Sequence, residues 1–131
     1  MNQTHAPYHA HIYYDADSRP LAETAQHVLR ERMVSGELAQ LLFVGSLRDG
    51  QAGPHPQSQF EIHFTADALP VVREFLRASG LRALVHPLTD DDLADHTHLA
   101  EWIGAPLELD LDTLDPPGHN KGVARFGISD F

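Results

Sequence analysis

Histidine is the residue type in this chain that points most clearly to chemistry. The sequence contains 10 histidines and no cysteine in 131 residues. Most of the histidines fall in short phrases, namely Tyr8-His9-Ala10-His11-Ile12-Tyr13, Gly53-Pro54-His55-Pro56, Phe60-Glu61-Ile62-His63-Phe64, His86-Pro87-Leu88-Thr89 and Asp95-His96-Thr97-His98. Imidazole is the commonest ligand of transition metals in proteins. Because thiolate ligands are absent, these phrases predict a metal site made of nitrogen and oxygen donors.

Donors of this kind suit a limited set of metals. Two histidines and one carboxylate with open coordination positions are typical of non-haem Fe(II) that reacts with O₂, and zinc, nickel and copper accept the same ligands. A carboxylate or backbone carbonyl beside a ligating ring can orient it, and Asp95 is a candidate for this role.

The composition excludes several other functions. Nine Lys and Arg against 19 Asp and Glu give a net charge of −10, so we expect neither a nucleic acid nor an anionic membrane as partner. The absence of cysteine excludes disulfides, zinc fingers and thiol catalysis. No apolar run reaches the roughly 20 residues that span a bilayer, and the N-terminus lacks the pattern of a signal peptide. We therefore expect a cytoplasmic protein with one domain.

The elements that must position the histidines follow from the hydrophobic pattern. Alternating apolar residues predict four strands, over residues 8–14, 40–47, 58–65 and 81–86. Between them, one helix begins at the cap Ser18 and ends at Gly36, and a second begins at Asp67 and ends at Gly80. The order β-α-β-β-α-β predicts a ferredoxin-like α+β fold. Its antiparallel sheet has both helices on one face and the first and third strands in the centre.

The remaining residues extend this core. The capping pattern that starts at Thr89 predicts a short helix that runs to Trp102 and ends at Gly104. The alternating leucines of residues 107–111 predict an extra strand at a sheet edge, and the chain from Asp115 predicts a polar tail. We expect a single domain over residues 1–131, with its core in 7–114 and a tail in 115–131.

Side chains alternate between the faces of a strand, and this alternation groups the candidate ligands. In the first strand His9 and His11 share a face with Tyr13, and in the third Glu61 shares a face with His63. The apolar residues between them face the helices, so these polar side chains converge on the helix-free face of two adjacent central strands. They are the predicted metal ligands.

Four further residues are less constrained by the pattern. His86 joins the ligands if Val85 faces the helices, and His55 lies in a proline-fixed loop that could overhang the rim. His96 and His98 are about 200° apart on a helix, so only one of them can face the site. The alternative for the whole cluster is a polar surface or a dimer interface rich in histidine.

Together the phrases resemble those of the DOPA 4,5-dioxygenase family, known from fungal pigment synthesis and from bacterial proteins of similar size. The resemblance spans roughly residues 7–114 and attaches to His9, His11, His55, Glu61, His86 and His96. It implies extradiol cleavage of a catechol such as DOPA by O₂ at a non-haem iron, with a semialdehyde as product. It does not imply which histidines bind the iron.

Our main hypothesis is therefore an Fe(II)-dependent extradiol dioxygenase, with zinc, nickel or copper as other metals that the site could hold. The preferred ligands are His9, His11 and His86, completed by Glu61 or His63. His55 or His96 is predicted to act as general acid or base.

Tyr13 and His98 are the candidates for contact with the substrate. A homodimer that packs face to face would exclude water from the site. The alternatives are a cofactor-independent monooxygenase or isomerase on the same scaffold and a non-enzymatic metal-binding protein.

Overall fold

The computed structural model describes residues 5–130, so the predicted single domain extends past the described residues at both ends. Within them the chain forms five strands and four α-helices. In chain order these are β1 (Pro7–Tyr13), α1 (Arg19–Ser35), β2 (Leu41–Val44), β3 (Gln59–Thr65), α2 (Leu69–Ser79), β4 (Ala83–Pro87), α3 (Asp92–His96), β5 (Glu101–Ile103) and α4 (Gly122–Arg125). Single 3₁₀ turns lie at Ala66–Ala68 and Leu111–Thr113.

The five strands form one antiparallel sheet in the order β2-β3-β1-β4-β5. β1 and β3 are central and β4 lies beside β1, which confirms the predicted ferredoxin-like α+β arrangement. The helices α1 and α2 cover one face, where Ala10 and Ile12 of β1 pack in a buried core with Leu29 and Val72. The opposite face is left for polar side chains.

Both long helices end where the sequence predicts. Gly36 follows α1 with φ of 80°, and Gly80 follows α2 with φ of 76°. These left-handed conformations favour glycine because a Cβ atom would clash with the backbone. Ser18 is the residue before α1, but its hydroxyl bonds to Asp15 instead of capping the helix.

The predicted extra edge strand exists, but its predicted position is wrong. The edge strand is β5, inside the stretch that was expected to be helical, because α3 ends at His96. The free edge of β4 pairs with residues 101–103, and Trp102 lies opposite Leu84. Gly104 then adopts φ of 83°. The leucines of residues 107–111 therefore do not continue the sheet.

The predicted polar tail is an ordered part of the fold. Residues 115–130, the C-terminal segment, return to the face of the sheet that the helices leave open. Gly118 N–H donates to Asp90 O at 2.9 Å, and the Asn120 amide donates to Thr89 O at 2.7 Å. An ion pair of 2.9 Å joins Asp130 to Arg48. Among the described residues, no helix is long and apolar enough to cross a membrane.

The helix end at Gly36 gives a direct test of the backbone argument. Beyond the glycine itself and its neighbours along the chain, a Cβ atom added there meets no heavy atom within 4 Å, so Gly36→Ala adds only the local strain of the left-handed conformation. We expect the free energy of unfolding in urea to fall by about 1 kcal/mol. Gly36→Asn should lose less, because asparagine tolerates this conformation better. Equal stability of all three proteins would contradict this account.

Candidate metal centre

The register of three neighbouring strands assembles the polar cluster. His9 of β1 lies opposite His63 of β3 on one side and opposite His86 of β4 on the other, and His11 lies opposite Glu61. Val85 belongs to the core under the helices. Side chains alternate along β4, so His86 points to the open face and joins the cluster.

Three imidazoles form the centre of this cluster. One ring nitrogen each of His9, His11 and His86 lies within 4.8 Å of the other two, and all three residues are buried. Nε2 of His11 is 3.0 Å from Nε2 of His86. Nε2 of His9 is buried and has no hydrogen-bond partner among the described residues. An unpartnered buried nitrogen is costly unless it binds something.

The second nitrogens show how the rings are held. Nδ1 of His86 is 2.7 Å from Pro87 O, and Nδ1 of His11 is 3.2 Å from the Gln59 amide oxygen. Because these oxygens only accept hydrogen bonds, each Nδ1 carries the proton. In the neutral rings each Nε2 atom then carries a lone pair and no proton. The two Nε2 atoms face each other across 3.0 Å. Such a pair cannot hydrogen-bond and is favourable only with a cation between or beside the nitrogens.

Burial keeps these rings neutral. Burial lowers the pKa of His9 and of His11 well below the usual value, and the neighbouring imidazoles add to the effect. Burial also lowers the pKa of His86 to about 3. Neutral imidazole is the form that binds metal. The residues present therefore fit a divalent metal ion held by three histidines.

Glu61 and His63 extend the centre on the β3 side. One oxygen of Glu61 lies 3.7 Å from Nδ1 of His9 and 3.5 Å from Nδ1 of His11. The other oxygen is 2.7 Å from Nε2 of His63. Nδ1 of His63 accepts the Gly127 N–H at 2.8 Å, so Nε2 carries the proton and donates to Glu61.

His9, Glu61 and His63 also lie close enough to form a second group of possible ligands. Both nitrogens of His63 are occupied by these hydrogen bonds, so within this second group the free donor atoms are those of His9 and Glu61. Burial raises the pKa of Glu61, and the bond to His63 opposes this.

His55 and His96 flank the triad from outside the sheet. The ring centre of His55 lies 4.1 Å from that of His11, and the ring centre of His96 lies 4.3 Å from that of His86. Burial lowers the pKa of His55 to about 3. Burial also disfavours the charged form of His96, but hydrogen bonds to Asp92 outweigh it and raise the pKa. The two flanking rings thus differ in their affinity for a proton.

A cleft of about 200 Å³ opens onto the cluster. Its walls come from the sheet, from His55 and His96, and from the C-terminal segment. The ring of Phe126 stacks at 5.5 Å on His63 and at 6.2 Å on His9. The sequence analysis did not place the C-terminal segment over the cleft. The feature that could have indicated it is that Lys121 and Arg125 are the only Lys and Arg residues after Arg82.

The two predicted substrate contacts do not share one location. The Tyr13 hydroxyl lies 2.7 Å from Nδ1 of His55, and its ring stacks on Trp102 at 5.9 Å. Tyr13 therefore bonds to His55 and does not itself line the cleft. His98 is exposed beyond the end of α3 and does not line the cleft. The structure brings together the other predicted site residues, namely His9, His11, His55, Glu61, His63, His86 and His96.

Comparisons with known proteins agree with this geometry. Residues 8–113 match the Dopa 4,5-dioxygenase family. The chain is 33% identical over 113 residues to DOPA 4,5-dioxygenase of Amanita muscaria. This alignment covers 82% of this chain and 49% of that protein. It is 32% identical over 114 residues to an uncharacterized 21.2 kDa protein of Botryotinia fuckeliana, which covers 79% of this chain and 61% of that protein. The chain thus spans about half the length of the first of these curated relatives and about three fifths of the second.

A solved structure is also similar. The crystal structure of a Nostoc punctiforme protein, described as a putative dioxygenase, superimposes with a TM-score of 0.66 at 32% sequence identity. The match covers 84% of this chain and 91% of that chain. The arrangement of the sheet is therefore shared with a relative of nearly equal length.

Removing one ring of the triad tests the metal centre. His11→Ala deletes one of three converging nitrogens, so we expect affinity for Fe(II) or Zn(II) to fall by at least about 100-fold. Metal bound per chain and the rise of Tm on adding metal measure this. His27→Ala is the matched control, because His27 is exposed on α1, where it pairs with Glu31, and it does not line the cleft. Tight metal binding by His11→Ala would contradict the triad.

Proposed function

Since this chain belongs to the DOPA 4,5-dioxygenase family, we propose that it is an iron-dependent extradiol dioxygenase that opens the ring of a catechol such as DOPA. The observation that carries the proposal is the buried triad of His9, His11 and His86, in which one nitrogen of each ring lies within 4.8 Å of the other two, and the protein holds Nδ1 of His11 and of His86. Histidine with carboxylate is the donor set that non-haem Fe(II) uses with O₂.

In this proposal His9, His11 and His86 hold the iron through Nε2, and Glu61 completes the set. When bound, the iron supplies Lewis-acid activation of the two catechol oxygens and a place for O₂ beside the ring. The overall reaction breaks one ring C–C bond next to a hydroxylated carbon. Both oxygen atoms of O₂ enter the product, one in an aldehyde and one in a carboxylic acid, so no further reductant is needed.

The flanking histidines are suited to opposite proton roles. In this mechanism the buried Tyr13 hydroxyl, 2.7 Å from Nδ1 of His55, is assigned as the donor to that nitrogen, so Nε2 of His55 carries a proton that it can donate into the cleft. Nδ1 of His96 donates to Asp92 O at 2.8 Å, so its Nε2 is an acceptor in the neutral ring. We therefore assign His96 as the base that accepts a catechol proton and His55 as the hydrogen-bond donor.

The surroundings of the centre also fit a reaction with O₂. The triad is buried on the sheet, and the C-terminal segment covers its open face through Phe126 and Gly127. Exclusion of water strengthens each electrostatic interaction inside the cleft and protects reactive species. The cover comes from the same chain, so the proposal does not depend on the predicted homodimer.

Turnover of a catechol tests the proposal directly. Anaerobically Fe(II)-loaded protein, mixed with DOPA and O₂, should give a yellow semialdehyde with one O₂ consumed per ring. With labelled O₂, one labelled atom should appear in the new carboxylate of the product, while the aldehyde oxygen exchanges with water or leaves as water when the semialdehyde cyclises. His11→Ala should give neither signal, and His27→Ala should give both. Oxygenation without iron would favour the monooxygenase alternative, and iron binding without turnover would favour a metal-binding protein.

The assignment of His96 has its own test. His96→Gln keeps a polar side chain but loses the basic nitrogen, so kcat should fall by roughly 10² to 10⁴. Its iron content should match that of the wild-type protein. His27→Gln should keep the wild-type kcat. A wild-type kcat in iron-loaded His96→Gln would remove His96 from the mechanism.

A further inference from the structure

The C-terminal segment brings positive charge into an acidic protein. The chain has nine Lys and Arg residues in all, and the last two are Lys121 and Arg125. They stand four residues apart, at either end of α4, and both line the cleft above the triad. Both lie beyond residues 8–113, which match the family.

The acidic groups of the cleft already have partners. Asp130 is ion-paired with Arg48 at 2.9 Å, and Asp115 accepts the backbone N–H of Lys121 at 2.9 Å. Asp92 accepts the N–H of Asp115 at 2.9 Å and lies 3.3 Å from Nδ1 of His96. Glu61, the fourth carboxylate of the cleft, is 2.7 Å from Nε2 of His63. All four cleft carboxylates are therefore already bonded to groups of the protein.

Lys121 and Arg125 differ in this respect from the acidic groups of the cleft. Among residues 5–130, the ion pairs of Lys and Arg involve Arg19, Arg32, Arg48 and Arg73. In that part of the chain no carboxylate lies within 4.0 Å of the charged groups of Lys121 and Arg125. Their positive ends are thus available to a ligand in the cleft.

Arg125 is also close to the metal triad. The next residue, Phe126, stacks on His9 at 6.2 Å. Arg125 itself lines the same cleft as His9, His11 and His86. A guanidinium in this cleft can contact a substituent of a molecule whose ring lies at the triad.

From these observations we propose that Arg125, assisted by Lys121, binds a carboxylate on the side chain of the substrate. The enzyme would then select catechols with an anionic substituent over neutral catechols, and neutral over cationic ones. Guanidinium binds carboxylate through charge-assisted, often bidentate hydrogen bonds. The inference rests on the proposed function, since it names the substrate class of the same site.

The test compares three catechols that differ in one charge: dihydroxyphenylpropionate, ethylcatechol and dopamine. In the wild-type protein kcat/KM should fall in that order. In Arg125→Gln the ratio of kcat/KM for dihydroxyphenylpropionate to that for ethylcatechol should fall by about 10- to 100-fold, as expected for lost hydrogen bonds to a charged group. Lys121→Gln should lower the ratio less, and Arg125→Lys should restore much of it.

Arg77→Gln is the matched control, because it removes the same charge from an exposed position on α2 outside the cleft. Its ratio should equal that of the wild-type protein. A wild-type ratio in Arg125→Gln, or an equal fall in Arg77→Gln, would overturn the inference and indicate only general charge balance.

A binding measurement separates this inference from the proposed function. Phenylpropionate carries the carboxylate but no catechol, so its affinity for the iron-loaded protein, measured by calorimetry, does not require turnover. Arg125→Gln should weaken its binding about 10-fold or more, and Arg77→Gln should not. Cleavage of no catechol together with this loss would refute the dioxygenase but keep the carboxylate site. Cleavage without any dependence on Arg125 would do the reverse.

Discussion

The rest of the structure depends on one constraint, which is that the lone pairs of buried imidazoles face each other on one face of the sheet. Nε2 of His11 and Nε2 of His86 lie 3.0 Å apart, and the buried Nε2 of His9 has no partner among the described residues. Burying polar atoms in this way costs free energy unless they are paired. The strand pairing that fixes β1 between β3 and β4 holds the rings together against this cost. The sheet therefore presents a preformed cluster that fits a metal ion.

The hydrogen bonds around the triad set the chemical form of each ring. Acceptors on the protein hold the protons of His11 and His86 on Nδ1, and a donor, Gly127, does the opposite for His63. The flanking rings also differ in what they contact, since His55 bonds to a hydroxyl and His96 to a carbonyl. In the proposed mechanism, identical side chains therefore take the roles of ligand, carboxylate support, donor and acceptor because their second nitrogens meet different groups.

Much of this arrangement is predictable from local patterns. Alternation along residues 8–14 and 58–65 predicts which side chains share the open face, and the β-α-β-β-α-β order predicts which strands are neighbours. The prediction of a helix up to Trp102 is wrong because residues 101–103 pair with a strand that is distant in the sequence. The cap of α3 is Asp91 and not Thr89, where the predicted capping pattern starts, and the Asp91 carboxylate accepts from Ala94 N–H at 3.0 Å. The unpaired edge of β4 then takes residues 101–103 as a strand, and no local pattern shows that this edge is free.

The C-terminal segment could not be placed from sequence because its contacts are long-range and its pattern resembles a polar tail. Its position changes the argument about water. A face-to-face homodimer was predicted because an open sheet face with buried imidazoles needs a cover. Phe126 and Gly127 supply that cover within the chain, on His9 and His63. The homodimer remains a prediction, but the site no longer requires it. The same covering segment carries Lys121 and Arg125, so in our proposals the protection of the metal centre and the choice of substrate come from one stretch of chain.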